Sequence, residues 1–111
     1  LEVANYLDEA MRFYQRAIAL QPNSAEAQAG VGDVYFKQQN YSSAVNLYRK
    51  ALSYDPNLAD AQLGLGKAFK ELGRKQEAVQ ALQQARTLLG RETDPSDRLR
   101  EVDTLLKELK K

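Results

Sequence analysis

Residues 25–58 read AEAQAGVGDVYFKQQNYSSAVNLYRKALSYDPNL, and this stretch decides the fold. Two runs rich in helix-forming residues are separated by a turn at Gln39-Asn40, and Pro56 followed by Asn57 ends the second run. No part of the stretch alternates apolar and polar residues for long enough to form a strand. It therefore predicts two antiparallel helices joined by a short turn.

The same pattern recurs along the chain at an interval of 34 residues. Pro22 and Pro56 lie 34 residues apart, as do Gly32 and Gly66. Three ladders follow this interval, two of alanine and one of bulky residues: Ala10, Ala44 and Ala78; Ala17, Ala51 and Ala85; and Tyr14, Tyr48 and Leu82. So many matches at one shift indicate internal repetition, and a repeated helical unit governs the fold prediction.

Small residues at fixed positions predict how the helices pack. Two antiparallel helices approach closely only where small residues face one another, so we expect Gly32 and Ala44 at the crossing point. The bulky Tyr35 and Tyr48 are then expected to fill the space above and below it. One helix pair cannot bury both of its apolar faces, and stacking on the next pair completes the core. The sequence thus predicts an all-α solenoid of helical hairpins.

The period and the small–large pattern closely resemble those of the tetratricopeptide repeat family. Gln28 departs from the family pattern, which usually has Trp or another large residue at this position. The resemblance implies a right-handed superhelix of helical hairpins. Residues 25–58 carry the family's residues at seven positions: Val31, Gly32, Tyr35, Ala44, Tyr48, Ala51 and Pro56.

We predict about two and a half repeats followed by a capping helix. Residues 25–58 and 59–92 are expected to form full repeats, although Gly90 stands where the second would have its closing proline. Residues 1–24 match only the second helix of a repeat, and residues 93–111 align with a further first helix.

The segment 93–111 departs from a complete repeat, because Arg100 stands where Gly66 stands one repeat earlier. We interpret the segment as a cap that gives the array a polar outer face. The alternative is an a/d seam for a coiled-coil partner. Both readings depend on one apolar stripe at helical spacing: Leu99, Val102, Leu106 and Leu109.

Composition excludes several classes of function. The 111 residues include no cysteine and no histidine, with 16 basic against 15 acidic side chains. We therefore predict no catalytic residues, no metal site, no cofactor and no enzymatic activity. Balanced charge argues against nucleic-acid binding, and no apolar run is long enough for membrane insertion. The cytoplasm is the expected compartment, although the lack of cysteine is equally compatible with the periplasm or an organelle stroma.

In the tetratricopeptide family, the first helix of each repeat lines a concave surface that binds extended peptides or partner helices. The resemblance therefore implies that another protein contributes a peptide or an amphipathic helix to such a groove here. An inert, solvated inner face is the alternative. Helical spacing places these residues on the groove face: Glu26, Ala29, Asp33, Phe36 and Lys37, then Asp60, Leu63, Lys67, Lys70 and Glu71.

Some family members bind the acidic C-termini of heat-shock chaperones through a clamp of Lys, Asn and Arg. The matching positions of this chain lack the Asn and most of the cations. Asp33 stands among them and would repel a carboxylate. We therefore expect no binding of chaperone C-terminal tails.

The N-terminal helix lacks the first helix of its own repeat, so part of its apolar face is expected to be exposed. Such an edge favours contact with a neighbouring segment or with a second copy. We expect the chain to be a fragment of a larger protein or to form a homo-oligomer. The predicted self-association edge comprises Val3, Tyr6, Leu7, Met11 and Ile18.

These observations predict a non-catalytic protein-interaction module that acts as a scaffold or adaptor through its concave groove. The alternative is a structural or oligomerisation segment that joins through its N-terminal edge. Charge reversal at Lys67 and Lys70 is expected to distinguish them, because only groove binding predicts lost binding with unchanged assembly.

Overall fold

A computed structural model describes residues 3–91 and 97–111. These residues form α-helices joined by turns, and no strand occurs among them. The all-α class is therefore confirmed. The predicted boundary between residues 92 and 93 lies outside the described residues. The helices are α1 (Val3–Leu20), α2 (Ala25–Lys37), α3 (Tyr41–Tyr54), α4 (Ala59–Glu71), α5 (Lys75–Leu89) and α6 (Asp97–Leu109).

The helices pack as a solenoid of hairpins, as the sequence predicts. The hairpins α2–α3 and α4–α5 have the most extensive interfaces, and α3 packs on α4 to stack one hairpin on the next. α2 also contacts α4, so alternate helices lie side by side. α1 packs on α2, and α6 packs on α5.

The apolar stripe of α6 is used within the chain. Val102 and Leu106 are buried in a cluster with Leu82, Ala85 and Leu89 of α5. The stripe is therefore covered by α5, and it is not available as a seam for a coiled-coil partner.

Polar side chains begin two of the helices. The Ser24 hydroxyl accepts a hydrogen bond from the Ala27 N–H at 3.2 Å, ahead of α2. The Asn40 side chain accepts one from the Ser43 N–H at 3.4 Å, ahead of α3. Each bond satisfies an N–H group that the first turn of a helix leaves unpaired.

The turns inside the two hairpins have the same backbone geometry. Gln39 has a φ of 63° and Gly73 a φ of 75°, and these positions are one repeat apart. In both turns the next N–H donates to the carbonyl five residues earlier, at 2.9 Å. Glycine adopts this left-handed conformation without a steric penalty, whereas glutamine does not.

Single substitutions at Gln39 and Gly73 should therefore change the free energy of unfolding in opposite directions. We expect Gln39→Gly to increase the free energy of unfolding by about 1 kcal/mol and Gly73→Ala to decrease it by about the same amount. A Cβ at Gly73 would meet no atom within 4 Å, so that loss is purely conformational. Chemical denaturation measures both, and a stabilising Gly73→Ala would contradict the common geometry.

The core is organised around Tyr48, whose side chain is 2% exposed. Its ring lies between α2 and α4, where a Cβ on Gly32 would come within 2.9 Å of the ring and one on Gly64 within 2.5 Å. No ordinary carbon contact is this short, so glycine is required at both positions. Tyr14 lies against Gly30 in the same way one repeat earlier.

The close contact at Gly32 is with a large side chain and not with a small one, because the nearest atoms to a Cβ on Gly32 belong to the Tyr48 ring. The α4–α5 crossing is closer to the prediction. There, a Cβ on Gly66 would lie 2.6 Å from Leu82 and 3.4 Å from the carbonyl oxygen of Ala78. The glycines therefore make room chiefly for a large side chain of a second helix.

The fit between Gly64 and the Tyr48 ring can be tested by coupled substitutions. Alanine is the better helix former, yet we expect Gly64→Ala to destabilise the protein by about 1–3 kcal/mol, because its Cβ would overlap the ring. In a Tyr48→Leu background the same change should cost about 1 kcal/mol less. Equal costs in the two backgrounds, measured by urea denaturation, would show that the ring is not the obstacle.

Candidate functional site

A groove with a volume of about 430 Å³ runs between α2, α4 and α6. These alternate helices are the first helices of successive units, the elements that the sequence predicts to line the binding face. We call it the α2–α4–α6 groove. Its lining consists of Asp33, Phe36, Lys37, Tyr48, Asp60, Leu63, Gly64, Lys67, Arg98 and Glu101.

Apolar atoms at the base of the groove come from Leu63, Gly64 and the Tyr48 ring, all of which are buried. Phe36 is only half-buried and stands at the side. Its ring contacts Tyr41 edge-on, with centroids 5.1 Å apart, and the Lys67 ammonium lies 5.5 Å from its centroid. The packing fixes the ring of Phe36 while leaving part of it open to a ligand.

The charged groups of α4 are paired with those of α6. Exposed ion pairs of this kind contribute about 0–1 kcal/mol each, so they add little to the apolar contacts that hold α6 on α5. They also leave the groove electrically balanced, so a charged ligand would have to compete with them. The pairs are Asp60 with Arg98, Lys67 with Glu101 at 3.2 Å, and Lys70 with Glu108 at 2.7 Å.

The carboxylate of Asp33 links the groove to the core. It accepts a hydrogen bond of 2.5 Å from the Tyr48 hydroxyl. Burial raises the pKa of Asp33, the Tyr48 bond opposes that rise, and the nearby Asp60 charge adds to it. Burial and the Asp33 carboxylate together raise the pKa of Tyr48, which therefore remains a neutral donor.

The structure places the predicted groove residues in several environments. Ala29 is not among the residues that line the groove; it is 7% exposed and packs in the core. Glu26 and Glu71 are exposed outside the lining, and Lys70 is engaged with Glu108. The predicted residues that do line the groove are Asp33, Phe36, Lys37, Asp60, Leu63 and Lys67.

The lining also includes residues that the sequence analysis did not assign to it: Tyr48, Gly64, Arg98 and Glu101. The repeat period contains the signal for two of them. Arg98 and Glu101 stand 34 residues after Gly64 and Lys67. Interpreting α6 only as a polar cap hid its contribution to the groove wall.

The predicted N-terminal edge needs a similar correction. Leu7 is 5% exposed and packs within the chain, so it is not part of an exposed edge. Phe13 and Leu20, which were not predicted, are 68% and 82% exposed. Among the other predicted residues, Val3 and Tyr6 are exposed, and Met11 and Ile18 are half-buried.

A second groove of about 450 Å³ lies on the other side of α4, between α3 and α5. Its aromatic residue, Phe69, is 3% exposed and packs in the core, and the guanidinium groups of Arg49 and Arg74 lie 5.3 and 5.0 Å from its ring centroid. Glu77 forms ion pairs with both arginines. This cluster joins the helices and leaves no open aromatic surface, so the groove is a weaker candidate for binding.

Within residues 3–91 and 97–111, no group of acidic side chains is arranged to hold a metal ion. Nor does any helix in these ranges combine the length and apolarity that crossing a bilayer requires.

Comparison with known proteins identifies the family. A model of the TPR repeat matches residues 5–38 and 32–73, and a model of the tetratricopeptide repeat matches residues 60–88. The chain belongs to the tetratricopeptide repeat family. The resemblance seen in the sequence is thereby confirmed. Comparison with curated proteins gives no significant match.

Solved structures of other repeat proteins share the fold. The Yersinia enterocolitica type III secretion translocator chaperone SycD is 17% identical, with a TM-score of 0.87 over 96% of this chain and 74% of its own. The TPR2B domain of yeast Sti1, in a complex with pHsp70, is 22% identical, with a TM-score of 0.87 over 96% and 85%. PcrH, in complex with the chaperone binding region of PopD, is 19% identical, with a TM-score of 0.87 over 96% and 80%. At these identities the similarity establishes the tetratricopeptide solenoid and nothing finer.

The raised pKa of Asp33 predicts a pH-dependent effect of Asp33→Asn. Because the folded protein disfavours the ionised form, wild type gains stability as the pH falls toward this pKa. Asparagine does not titrate, and its carbonyl oxygen can still accept the Tyr48 hydroxyl. We expect the variant to be slightly more stable at neutral pH, with the difference shrinking between about pH 7 and pH 4. Urea denaturation at several pH values measures it, and a difference that grows on acidification would contradict the assignment.

Proposed function

We propose that this chain is a non-catalytic protein-interaction module, a scaffold or adaptor that binds a peptide or an amphipathic helix of a partner protein in the α2–α4–α6 groove. The half-buried ring of Phe36 beside the buried Leu63 carries the proposal. An aromatic ring fixed by its neighbours and partly open to solvent is the kind of anchor that contributes most to binding at protein interfaces.

The charges of the groove specify the kind of partner. Lys67 and Arg98 are engaged with carboxylates of the opposite helix, which leaves Lys37 as a lysine outside those pairs. We therefore expect a segment that presents an apolar side chain to Phe36, flanked by residues of mixed charge. Three carboxylates balance the cations, so neither nucleic acid nor an acidic chaperone tail fits well.

The structural neighbours support a partner of this class. The Sti1 domain is described in a complex with pHsp70, and PcrH in a complex with the chaperone binding region of PopD. The groove chemistry proposed here is argued from this chain's own residues. We expect the module to act in the cytoplasm, a compartment with which the lack of cysteine is compatible without singling it out.

The proposal is tested by selecting binders from a random peptide library and measuring the best of them by fluorescence anisotropy. Phe36→Ala should weaken binding at least tenfold, about 1.4 kcal/mol, because it removes the aromatic anchor. Tyr54→Ala is the matched control, since it removes an exposed aromatic side chain of α3 that lies outside the groove lining. Equal affinity of wild type and Phe36→Ala would place binding elsewhere.

Charge reversal at Lys67 and Lys70 does not separate the two functions cleanly, because both residues form ion pairs with α6. Either reversal alone would place like charges against Glu101 or Glu108 and disturb the groove wall. The swap Lys67→Glu with Glu101→Lys retains the pair with reversed polarity. It should leave folding unchanged while altering which charged peptides are selected.

A second candidate function is oligomerisation through α1. The exposed Val3, Tyr6, Phe13 and Leu20 favour it, because large apolar side chains on one helix rarely remain in solvent without a partner.

A further inference from the structure

The outer face of α1 carries a continuous apolar row whose large side chains are mostly exposed, while its alanines are half-buried and its Tyr6 and Ala10 also border α2. Its large members are 59% to 82% exposed. The spacing alternates between three and four residues, the heptad spacing of a helix that packs along its whole length against another helix. The row comprises Val3, Tyr6, Ala10, Phe13, Ala17 and Leu20.

This row is longer than the surface that a hairpin partner covers in the other repeats. α3 begins at Tyr41 and α5 at Lys75, and both positions correspond to Leu7 in the repeat register. Residues 37–40, where α2 ends and the chain turns, correspond to residues 3–6, which in α1 are helical. A helix joined through a turn of the observed geometry would therefore not cover Val3 and Tyr6.

The row is instead complementary to a second copy of itself in the antiparallel orientation. Aligning Val3 with the partner's Leu20 places Tyr6 opposite the partner's Ala17. The same alignment places Ala10 opposite the partner's Phe13. Two of these layers set a large ring against an alanine, which lets the two helices approach closely. A parallel pair would set Phe13 against its own copy and leave the alanines facing each other.

The charged side chains beside the apolar row of α1 also favour the antiparallel orientation. Leu7 and Tyr14 occupy one flank of the row, and both lie on the side of α1 that packs within the chain. The other flank carries Glu9 and Arg16, which form no ion pair with any residue in 3–91 or 97–111. Antiparallel pairing brings Glu9 toward the partner's Arg16, once on each side of the two-fold axis.

At the opposite end of the solenoid, residues 97–111 offer no matching surface. The positions filled by Gly32 and Tyr35 in the first full repeat are occupied in α6 by Arg100 and Asp103, and Asp103 is paired with Arg86. A head-to-tail array of copies is therefore disfavoured. An isologous contact through α1 closes after two subunits.

We propose that two copies of this chain pair through α1, antiparallel and in the register that aligns Val3 with the partner's Leu20, to form a closed dimer. The proposal develops the second candidate function and does not depend on ligand binding in the α2–α4–α6 groove. A single pair of 18-residue helices is a small interface, so we expect a dissociation constant on the order of micromolar.

Sedimentation equilibrium of the whole chain tests the pairing. The mass should rise with concentration from 12.5 kDa toward twice that value. Phe13→Glu should raise the dissociation constant at least tenfold with unchanged helical content, because Phe13 is exposed in the monomer. Tyr54→Glu is the control and should leave the constant unchanged. A monomer at every concentration, or a dimer that is insensitive to Phe13→Glu, would overturn the proposal.

Two further measurements test the orientation. Glu9→Arg or Arg16→Glu alone should weaken the dimer, and the two together should restore it. The chain has no cysteine, so a mixture of Val3→Cys and Leu20→Cys variants can be oxidised cleanly. Cross-links between the different variants support the antiparallel register. Cross-links within each variant, or no restoration by the double charge swap, would overturn it.

Discussion

The packing of Tyr48 between Gly32 and Gly64 is the contact on which the rest of the structure depends. A Cβ at either glycine would overlap the ring, so the two helices come this close only without side chains there. The ring thereby sets the spacing of α2 and α4, and its hydroxyl reaches Asp33 on the groove side. One side chain thus stacks the hairpins, closes the base of the groove and orients a carboxylate within it.

The C-terminal helix serves two purposes because its two sides have different chemistry. Val102 and Leu106 bury an apolar stripe against α5, which ends the hydrophobic core. Arg98 and Glu101 then meet charges of α4 across the groove. A helix that ends the array also forms the third wall of the candidate site, and its apolar contacts with α5 hold that wall in place.

Much of the fold could be predicted from the sequence because the repeat period is strong. The alanine ladders, the prolines and the turns at Gln39 and Gly73 identify the helices and their order. The sequence does not decide which side of each helix is covered by its neighbours. Ala29 and Leu7 each lie on the expected helix, yet packing turns both into the core. Helical spacing identifies residues that share a face, but the neighbouring helices decide which face is covered.

The sequence by itself determined the repeat, the all-α class, the helix order and the absence of cysteine and histidine chemistry. These properties follow from local spacing and composition, which need no knowledge of distant contacts. Only the tertiary structure decided that Tyr48 and α6 help to line the groove, that Lys67 and Arg98 are already paired with carboxylates, and that Phe13 and Leu20 face solvent. Each of these features depends on side chains that are far apart in the sequence. How closely the helices can approach one another decides which of these side chains meet in space.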